Sequence, residues 1–196
     1  MPAPPEPPAR AVLEAGAIRL RPLEREDAGA LLEAVRESID ALAGWMAWAR
    51  RGYGVEDASL YLDSRAAAWR SGEEYAFGIE EAASGRFIGC AGLNQPNRIH
   101  RFMNLGYWVR SAAAGRGAAT AATRRLAAWG FDTLGLRRLE LVIDPDNAAS
   151  LRVAAKAGAR REGVLRRRIE GPTGQRDAVM FSLIPDDLAS DTKGTI

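Results

Sequence analysis

The sequence predicts a mixed α/β fold, because its hydrophobic periodicity changes along the chain. Apolar residues recur at helical spacing between positions 25 and 70, and the period changes to two in the segments 75–79 and 87–93. The predicted order is one strand, several helices, an antiparallel meander, and then a βαβαβ unit with a final hairpin. This order indicates a mixed sheet with helices packed against it.

The first third of the chain is predicted to hold one strand and three helices. Residues 18–23 alternate apolar and basic side chains and predict a strand that ends at a proline. Helical spacing predicts a helix over residues 25–39, and a second apolar helix carries Trp45 and Trp48. Residues 55–70 predict a third helix, which has acidic residues in its first turn and a glycine just beyond its end.

The remainder is predicted to alternate strands, two helices and tight turns. Residues 75–79 and 87–93 flank a turn and predict a β-hairpin. The later predicted elements are strand 105–109, helix 117–134, strand 139–143, helix 148–157, strand 163–169, turn 171–174 and strand 178–184.

Length and composition predict one domain over residues 17–184, with a flexible tail at 1–16 and a short C-terminal tail at 185–196. The proline-rich start lacks the apolar core of a signal peptide, and no apolar run reaches the ~20 residues of a membrane span, so we expect a cytoplasmic protein. Cys90 and His100 are the single cysteine and histidine, which argues against a disulfide or a metal site. A net charge of +2 gives no indication of direct nucleic-acid binding.

A strand, a loop with two glycines and an Ala-rich helix follow one another between positions 105 and 128. Glycines let a backbone approach an anion closely, and the following helix start adds N–H groups and the positive end of its dipole. We therefore predict a main-chain anion site here, although the glycines alone would also suit a simple connecting loop. The predicted site consists of Ala114, Gly115, Arg116, Gly117 and Ala118.

A second informative segment, DPDNAAS at residues 144–150, follows the strand predicted at 139–143. Asn147 is a candidate helix N-cap, which would place Ser150 in the first helical turn. A purely structural capping role is therefore one interpretation of this segment.

Together these motifs resemble the GNAT superfamily of N-acetyltransferases, and more narrowly its RimJ/RimL branch of protein N-terminal acetyltransferases. The resemblance also rests on KAGARREGVL at residues 156–165 and on WMAW at 45–48, and it covers residues 17–184. It implies a mostly antiparallel central sheet, splayed where the fourth and fifth predicted strands part, with helices on both faces. It also implies acetyl-CoA as the substrate that supplies the acyl group, and no metal.

The resemblance assigns the pyrophosphate of acetyl-CoA to the glycine loop. The family consensus Gln/Arg-x-x-Gly-x-Gly/Ala falls on residues 112–117, where Ala112 departs from the first position. Arg110 or Arg116 would then supply the missing charge. The resemblance assigns the pantetheine arm to Tyr107, Trp108, Val109, Arg110 and Asn147.

The resemblance gives Ser150 the role of protonating the thiolate that leaves, and a base is expected for the attacking amine. The position of the base in RimL-type proteins falls at Ile169. Glu170 is adjacent and would need a bulge to face the same way, since neighbouring strand residues point to opposite sides. Glu140 and Asp177 are the other candidates, and each carboxylate could equally be a surface group.

Trp45, Trp48 and Tyr53 are implied to line the acceptor groove. The expected acceptor is the α-amine of a protein N-terminus. The alternatives are a small amine (a polyamine, an amino acid or an aminoglycoside), succinyl-CoA as the donor, or a non-catalytic acyl-CoA sensor. A homodimer is also open, since dimers are common among relatives.

Overall fold

A computed structural model describes residues 8, 10–171 and 174–189, and this part contains eight strands and six helices. The strands are β1 (Leu13–Ala15), β2 (Ile18–Pro22), β3 (Glu74–Glu81), β4 (Phe87–Asn97), β5 (Phe102–Val109), β6 (Arg138–Ile143), β7 (Arg160–Gly171) and β8 (Gly174–Leu183). The helices are α1 (Ala28–Glu37), α2 (Ile39–Leu42), α3 (Val55–Ser71), α4 (Ala118–Asp132), α5 (Ala148–Lys156) and α6 (Pro185–Ala189).

The strands form one sheet in the order β1-β2-β3-β4-β5-β6-β8-β7. Between described strands, β5 and β6 form the one parallel pair, and the other neighbours are antiparallel. The predicted mixed fold with a mostly antiparallel sheet is therefore confirmed.

Helices cover both faces of this sheet. On one face, Leu31 of α1 and Leu62 of α3 belong to the same buried cluster as Cys90 of β4. On the opposite face, Leu126 of α4 belongs to a second cluster with Leu93. Leu93 lies three residues after Cys90 on β4, so the two side chains point to opposite faces of the sheet. We call these the α1–α3 face and the α4 face. The predicted placement of helices on both sides is confirmed.

The segment from Gly44 to Tyr53, predicted as a second apolar helix, is instead a series of turns after the end of α2. The Trp45 N–H donates to the Leu42 carbonyl, and the Ala49 N–H donates to the Met46 carbonyl. Each of these bonds joins residues three apart and closes a separate turn, so they do not form a continuous helical ladder. Gly44 weakens a helix at this point because glycine has the largest backbone entropy to lose.

Two short elements lie inside segments that were predicted as tails. β1 pairs with β2 through a turn at Gly16, and Leu13 is only 2% exposed. A three-residue strand is too short to show a hydrophobic period, which is why the sequence did not reveal it. At the other end, α6 follows β8. Pro172 and Thr173 of the predicted 171–174 turn lie outside the described residues.

The parallel pair parts soon after it forms. β5 and β6 pair only at Phe102 with Arg138, Met103 with Leu139, and Asn104 with Glu140. Beyond this point β5 continues beside β4 and β6 continues beside β8. A wedge-shaped gap therefore opens between the two strands, as predicted, and we call it the splay.

An ion-pair network lies at the closed end of the splay. Arg138 Nε donates to Glu140 Oε1 at 3.0 Å, and Arg138 Nη1 donates to Glu162 Oε1 at 2.7 Å. Ser182 Oγ also donates to Glu162 Oε1 at 2.7 Å. The hydrogen bond from Arg138, more than that from Ser182, lowers the pKa of Glu162 to about 2.

This depressed pKa predicts a pH dependence of stability. Because the folded-state pKa of Glu162 lies below its ordinary value of 4.5, its contribution is present above that value and is lost as the pH falls toward about 2. We expect Glu162→Gln to lower the free energy of unfolding at neutral pH and to flatten its decline between pH 4.5 and 2. Urea unfolding across this range measures both effects. The control is Glu14→Gln, which removes an exposed carboxylate on β1; equal slopes in the two variants would contradict the prediction.

Candidate active site

The glycine loop between β5 and α4 presents main-chain N–H groups at the open end of the splay. Gly115 and Gly117 adopt φ values of +77° and +85°, which L-amino acids with side chains rarely adopt. No side chain caps α4, so the N–H groups of its first turn lack helical acceptors. A Cβ atom on either glycine would meet nothing within 4 Å, so the space beside the loop is open. This arrangement suits a phosphate-type anion.

The two arginines considered for the missing charge lie in different surroundings. Arg116 is exposed in the loop and has no ion pair among the described residues. The Arg110 side chain is only 2% exposed and pairs with Glu33 at 2.8 Å and Glu37 at 3.0 Å. The expectation that Arg110 offers its charge to an anion is therefore corrected, because two carboxylates of α1 already neutralise it.

Every second residue of β5 directs its main-chain N–H and C=O groups toward the splay. Arg110 N–H donates to Ile88 O at 2.8 Å, so residue 110 turns its main chain toward β4. Main-chain direction alternates along an antiparallel strand, so Trp108 also faces β4, whereas Tyr107 and Val109 face the gap. Of the residues predicted to hold the pantetheine arm, Tyr107 and Val109 are thus the two with main-chain groups available to an extended ligand.

Ser150 lies on the α5 side of the splay and is held by two main-chain hydrogen bonds. Its N–H donates to Asn147 Oδ1 at 3.0 Å, and its carbonyl accepts from Tyr107 Oη at 3.2 Å. Burial is the main cause that raises the pKa of Tyr107, to about 12, so this phenol stays protonated. Asn147 is the N-cap of α5, as one interpretation of the sequence held. The Ser150 hydroxyl itself has no partner among the described residues, so it is free to donate.

Glu140, a candidate base, lies where β5 and β6 still pair. It stands opposite Asn104 on β5, and its carboxylate accepts from Arg138 at 3.0 Å. This ion pair holds the group at the closed end of the splay. Its position and its partner both indicate a structural role.

The distal part of the β7–β8 hairpin carries Glu170 and Ile169. Ile169 stands opposite Arg176, which shares the α1–α3 face with Glu140, whereas Glu170 stands opposite Gln175 on the other face. A bulge in β7 lies between Leu165 and Ile169, and no register shift separates Ile169 from Glu170. It therefore does not turn Glu170 toward the side on which Ile169 lies, and the expectation that a bulge rescues Glu170 is corrected.

Asp177, the third candidate base, lies on β8 opposite the bulge in β7. Its Oδ1 accepts from the N–H of Arg167 at 2.9 Å, and Arg167 has a positive φ of 50°. This hydrogen bond stabilises the irregular backbone, which indicates a structural role here as well.

A cavity of about 540 Å³ opens on the α1–α3 face beside β5. Small residues at matching positions of three adjacent strands line its floor, namely Ala76, Gly92 and Gly106. Aromatic side chains form much of its wall, and these are Trp48, Tyr53, Tyr61 and Trp108. Trp48 and Tyr53, two of the residues expected to line an acceptor groove, both line this cavity, and their ring centroids are 5.8 Å apart. Trp45 does not line the cavity and is 38% exposed, which corrects its predicted place in the groove.

Two carboxylates of the cavity were missed by sequence reasoning. Asp57 accepts from Arg50 at 2.6 Å, and Glu74, at the start of β3, pairs with Arg65 of α3. The sequence indicates Asp57 only as an acidic residue in the first turn of α3. The structure agrees with that position, because Asp57 Oδ2 accepts from the Gly54 N–H at 2.8 Å. No local signal marks Glu74, because its place depends on strand pairing between β3 and β4.

Burial shapes the electrostatics of the cavity. Burial raises the pKa of Tyr53 to about 12, and it raises the pKa of the Cys90 thiol as well. Both groups are therefore neutral at physiological pH. In the described part of the chain, no cluster of His, Cys, Asp and Glu could hold a metal ion, and no helix is long and apolar enough to cross a membrane.

Comparisons with known proteins agree with this geometry. The family described as "Acetyltransferase (GNAT) domain" matches residues 17–160. "Probable N-acetyltransferase YjcK" of Bacillus subtilis is 32% identical over 179 residues, which cover 90% of this chain and 99% of that protein. "Putative ribosomal N-acetyltransferase YdaF" of the same organism is 28% identical over 169 residues, covering 85% and 91% of the two chains. "Spermidine N(1)-acetyltransferase" of Escherichia coli is 29% identical over 153 residues, or 77% of each chain.

A solved structure shows the same likeness in three dimensions. Mycobacterium smegmatis RimJ in complex with CoA-disulfide superposes with a TM-score of 0.82 at 26% identity, over 95% of this chain and 96% of that chain. The family match spans β2 to the start of β7 and so includes the splay, the glycine loop and Ser150. This chain therefore belongs to the GNAT family of N-acetyltransferases and resembles its RimJ/RimL branch.

Proposed function

We propose that the protein transfers an acetyl group from acetyl-CoA to the α-amine of a protein N-terminus, by direct attack in a ternary complex. The observation that carries this proposal is the continuity of three features around β5. The splay borders its free edge, the glycine loop follows its C-terminal end, and the aromatic cavity includes Gly106, Tyr107 and Trp108 in its lining. Donor and acceptor would thus meet at one strand.

The residues around the splay fit the parts of the donor. Acetyl-CoA supplies the acetyl group as an activated thioester. The N–H groups at Gly115, Gly117 and the start of α4 would bind the pyrophosphate, with Arg116 adding charge. The main-chain groups of Tyr107 and Val109 that face the gap would bind the extended pantetheine arm. The Val109 N–H would also polarise the thioester carbonyl.

Ser150 would act as the general acid. A C–N bond forms between the amine and the acetyl carbon while the C–S bond breaks, so the amine loses one proton and the thiolate gains one. The unpartnered Ser150 hydroxyl is positioned by hydrogen bonds through its N–H and carbonyl groups, and neither bond uses its oxygen Oγ. It can therefore donate to the departing sulfur without breaking the cap of α5.

The cavity favours an acceptor with one amine on an apolar body. Its carboxylates, Asp57 and Glu74, already have arginine partners, so a polycation would have to displace Arg50 or Arg65. The aromatic wall suits both an apolar first residue and a single ammonium group. The name of the relative YdaF also supports a protein acceptor.

A polyamine is the second candidate acceptor, because one relative is named a spermidine acetyltransferase. Mass spectrometry with acetyl-CoA and a panel of ribosomal-protein N-terminal peptides, polyamines, amino acids and aminoglycosides tests both. Acetylation of the peptides supports the proposal, whereas acetylation of polyamines alone would replace it with the second candidate. Bound CoA without any acetylated product would support an acyl-CoA sensor, and succinyl-CoA in a parallel reaction tests the donor.

Replacing Gly117 tests the loop. We expect Gly117→Val to raise the Kd for acetyl-CoA about tenfold or more, because a side chain at φ +85° strains the N–H groups and fills the space beside them. Isothermal titration calorimetry measures the Kd. Gly16→Val is the matched control, since Gly16 has φ +66° and equally open surroundings in the β1–β2 turn. Equal Kd values in the two variants would refute the loop assignment.

Replacing Ser150 tests the general acid. Ser150→Ala keeps the N–H and the carbonyl that Asn147 and Tyr107 use, so we expect unchanged stability and an unchanged Kd for acetyl-CoA. We expect kcat to fall about 100-fold, which is within the usual contribution of a general acid. Asn147→Ala should instead lower stability by about 1 kcal/mol through loss of the cap. A Ser150→Ala variant with the kcat of the wild type would exclude this role.

The positions of the carboxylates predict how the rate depends on pH. Because Glu140 and Asp177 are bonded elsewhere and Glu170 lies on the other face, we propose that water removes the proton of the amine. We expect kcat/KM to rise about tenfold per pH unit up to the pKa of the acceptor, about 8 for an α-amine. Glu140→Gln and Glu170→Gln should keep the same profile, and a profile altered in one variant would identify that residue as the base.

A further inference from the structure

Arg110 is a buried charge at the junction between β5 and the glycine loop. Its side chain is 2% exposed, and its guanidinium contacts Glu33 and Glu37 at 2.8 and 3.0 Å. Its Nε atom is buried without a hydrogen-bond partner among the described residues. Burying a guanidinium costs free energy unless it is well paired, so a buried arginine with one unsatisfied atom calls for an explanation.

The end of α1 holds the segment that follows Arg110 through two further hydrogen bonds. Ser38 Oγ accepts from Ser111 N–H at 2.9 Å, and Glu37 Oε1 accepts from Ala112 N–H at 3.2 Å. Ser38 is 1% exposed and is the residue at which α1 ends and α2 begins. Arg110, Glu37 and Ser38 therefore form one cluster, which we call the clamp.

The clamp lies directly before the glycine loop in the chain. A 3₁₀ turn over Ser111–Ala113 connects the clamp to Gly115 and Gly117. The N–H groups of residues 115–117 have no protein acceptor in the described part of the chain, so hydrogen bonds from these groups do not fix the loop. Its backbone is held at its two ends, by the clamp and the buried Ala113 on one side and by α4 on the other.

We propose that Arg110 is a positioning residue for donor binding. It acts through Glu37 and Ser38 to hold the 3₁₀ turn, and thereby the N–H groups of the loop, in the arrangement that binds a pyrophosphate. It does not touch the donor. This inference rests on the proposed function, in which CoA is the ligand of the loop.

Arg110→Met tests the clamp, because Met keeps much of the length of the side chain and removes its charge. We expect the Kd for CoA, measured by calorimetry, to rise about tenfold, while Arg110→Lys recovers part of the affinity. The matched control is Arg21→Met, since Arg21 also pairs with two carboxylates, Asp27 and Glu80. Arg21→Met should lower the melting temperature and leave the Kd for CoA within about twofold of the wild type.

A donor without the pyrophosphate separates positioning from general destabilisation. We expect Arg110→Met to lower kcat/KM about tenfold for acetyl-CoA and to leave it unchanged for S-acetylpantetheine. Equal losses with both donors, or a Kd for CoA unchanged from the wild type, would overturn the inference.

Ser38→Ala keeps the test decisive if Arg110→Met does not fold. It removes only the acceptor of the Ser111 N–H, and we expect the Kd for CoA to rise about threefold with S-acetylpantetheine unaffected. An unchanged Kd in a folded Ser38→Ala protein would overturn the inference. A wild-type protein that binds no CoA would overturn the proposed function itself, which distinguishes the two failures.

Discussion

The parting of β5 and β6 is the constraint on which the rest of the structure depends. Two paired strands satisfy each other's main-chain groups, so strands that separate inside a sheet leave one edge of each without partners. Here the separation begins after Asn104 and Glu140, and the Tyr107 and Val109 groups on the β5 side stay open. Such an edge is costly in a folded protein unless water or an extended ligand satisfies it. The Arg138 network at the closed end secures the last pairing before the strands diverge. The Arg138 network and the proposed donor site therefore lie at the same local feature.

The proposed donor site is built largely from main-chain groups, and this choice has a second consequence. A site built from N–H groups needs no particular side chains, but it needs an accurate backbone path. Positive φ values at Gly115 and Gly117 create that path. The glycines have no side chains, so they make no side-chain contacts that would stabilise it. In the proposed donor site, this accuracy would come from neighbouring elements, which include the buried Arg110 and Ser38 of the clamp. The clamp and the start of α4 would together fix the position of this loop, as core packing fixes the side chains of other binding sites.

The sequence allowed most of the fold to be predicted, because its strands and helices carry clear periodicity and the glycine loop and DPDNAAS stand at element boundaries. Features that depend on long-range pairing could not be predicted. Arg110 is a cation that lies close to the glycine loop in sequence. Its charge is nevertheless paired with Glu33 of α1, which lies 77 residues earlier in the chain. Glu74 enters the cavity only because β3 pairs with β4. The register of the β7–β8 pair places Glu170 on the face opposite to Ile169, and register shifts such as those in β7 leave no reliable mark in a single sequence.

The pairing of charges in the cavity bears on the acceptor more strongly than its aromatic lining does. Aromatic walls accept a peptide and a polyamine alike, since both present ammonium groups and apolar segments. Carboxylates discriminate between them, because each extra cation of a polyamine must find an unpaired anion or lose its hydration without compensation. Asp57 and Glu74 are already paired with Arg50 and Arg65. Neither carboxylate is therefore available to pair with a second ammonium group. A single α-amine needs none, since it must approach the thioester as the neutral base. In the proposed reaction, the arginine partners of Asp57 and Glu74 therefore favour an acceptor with a single amine.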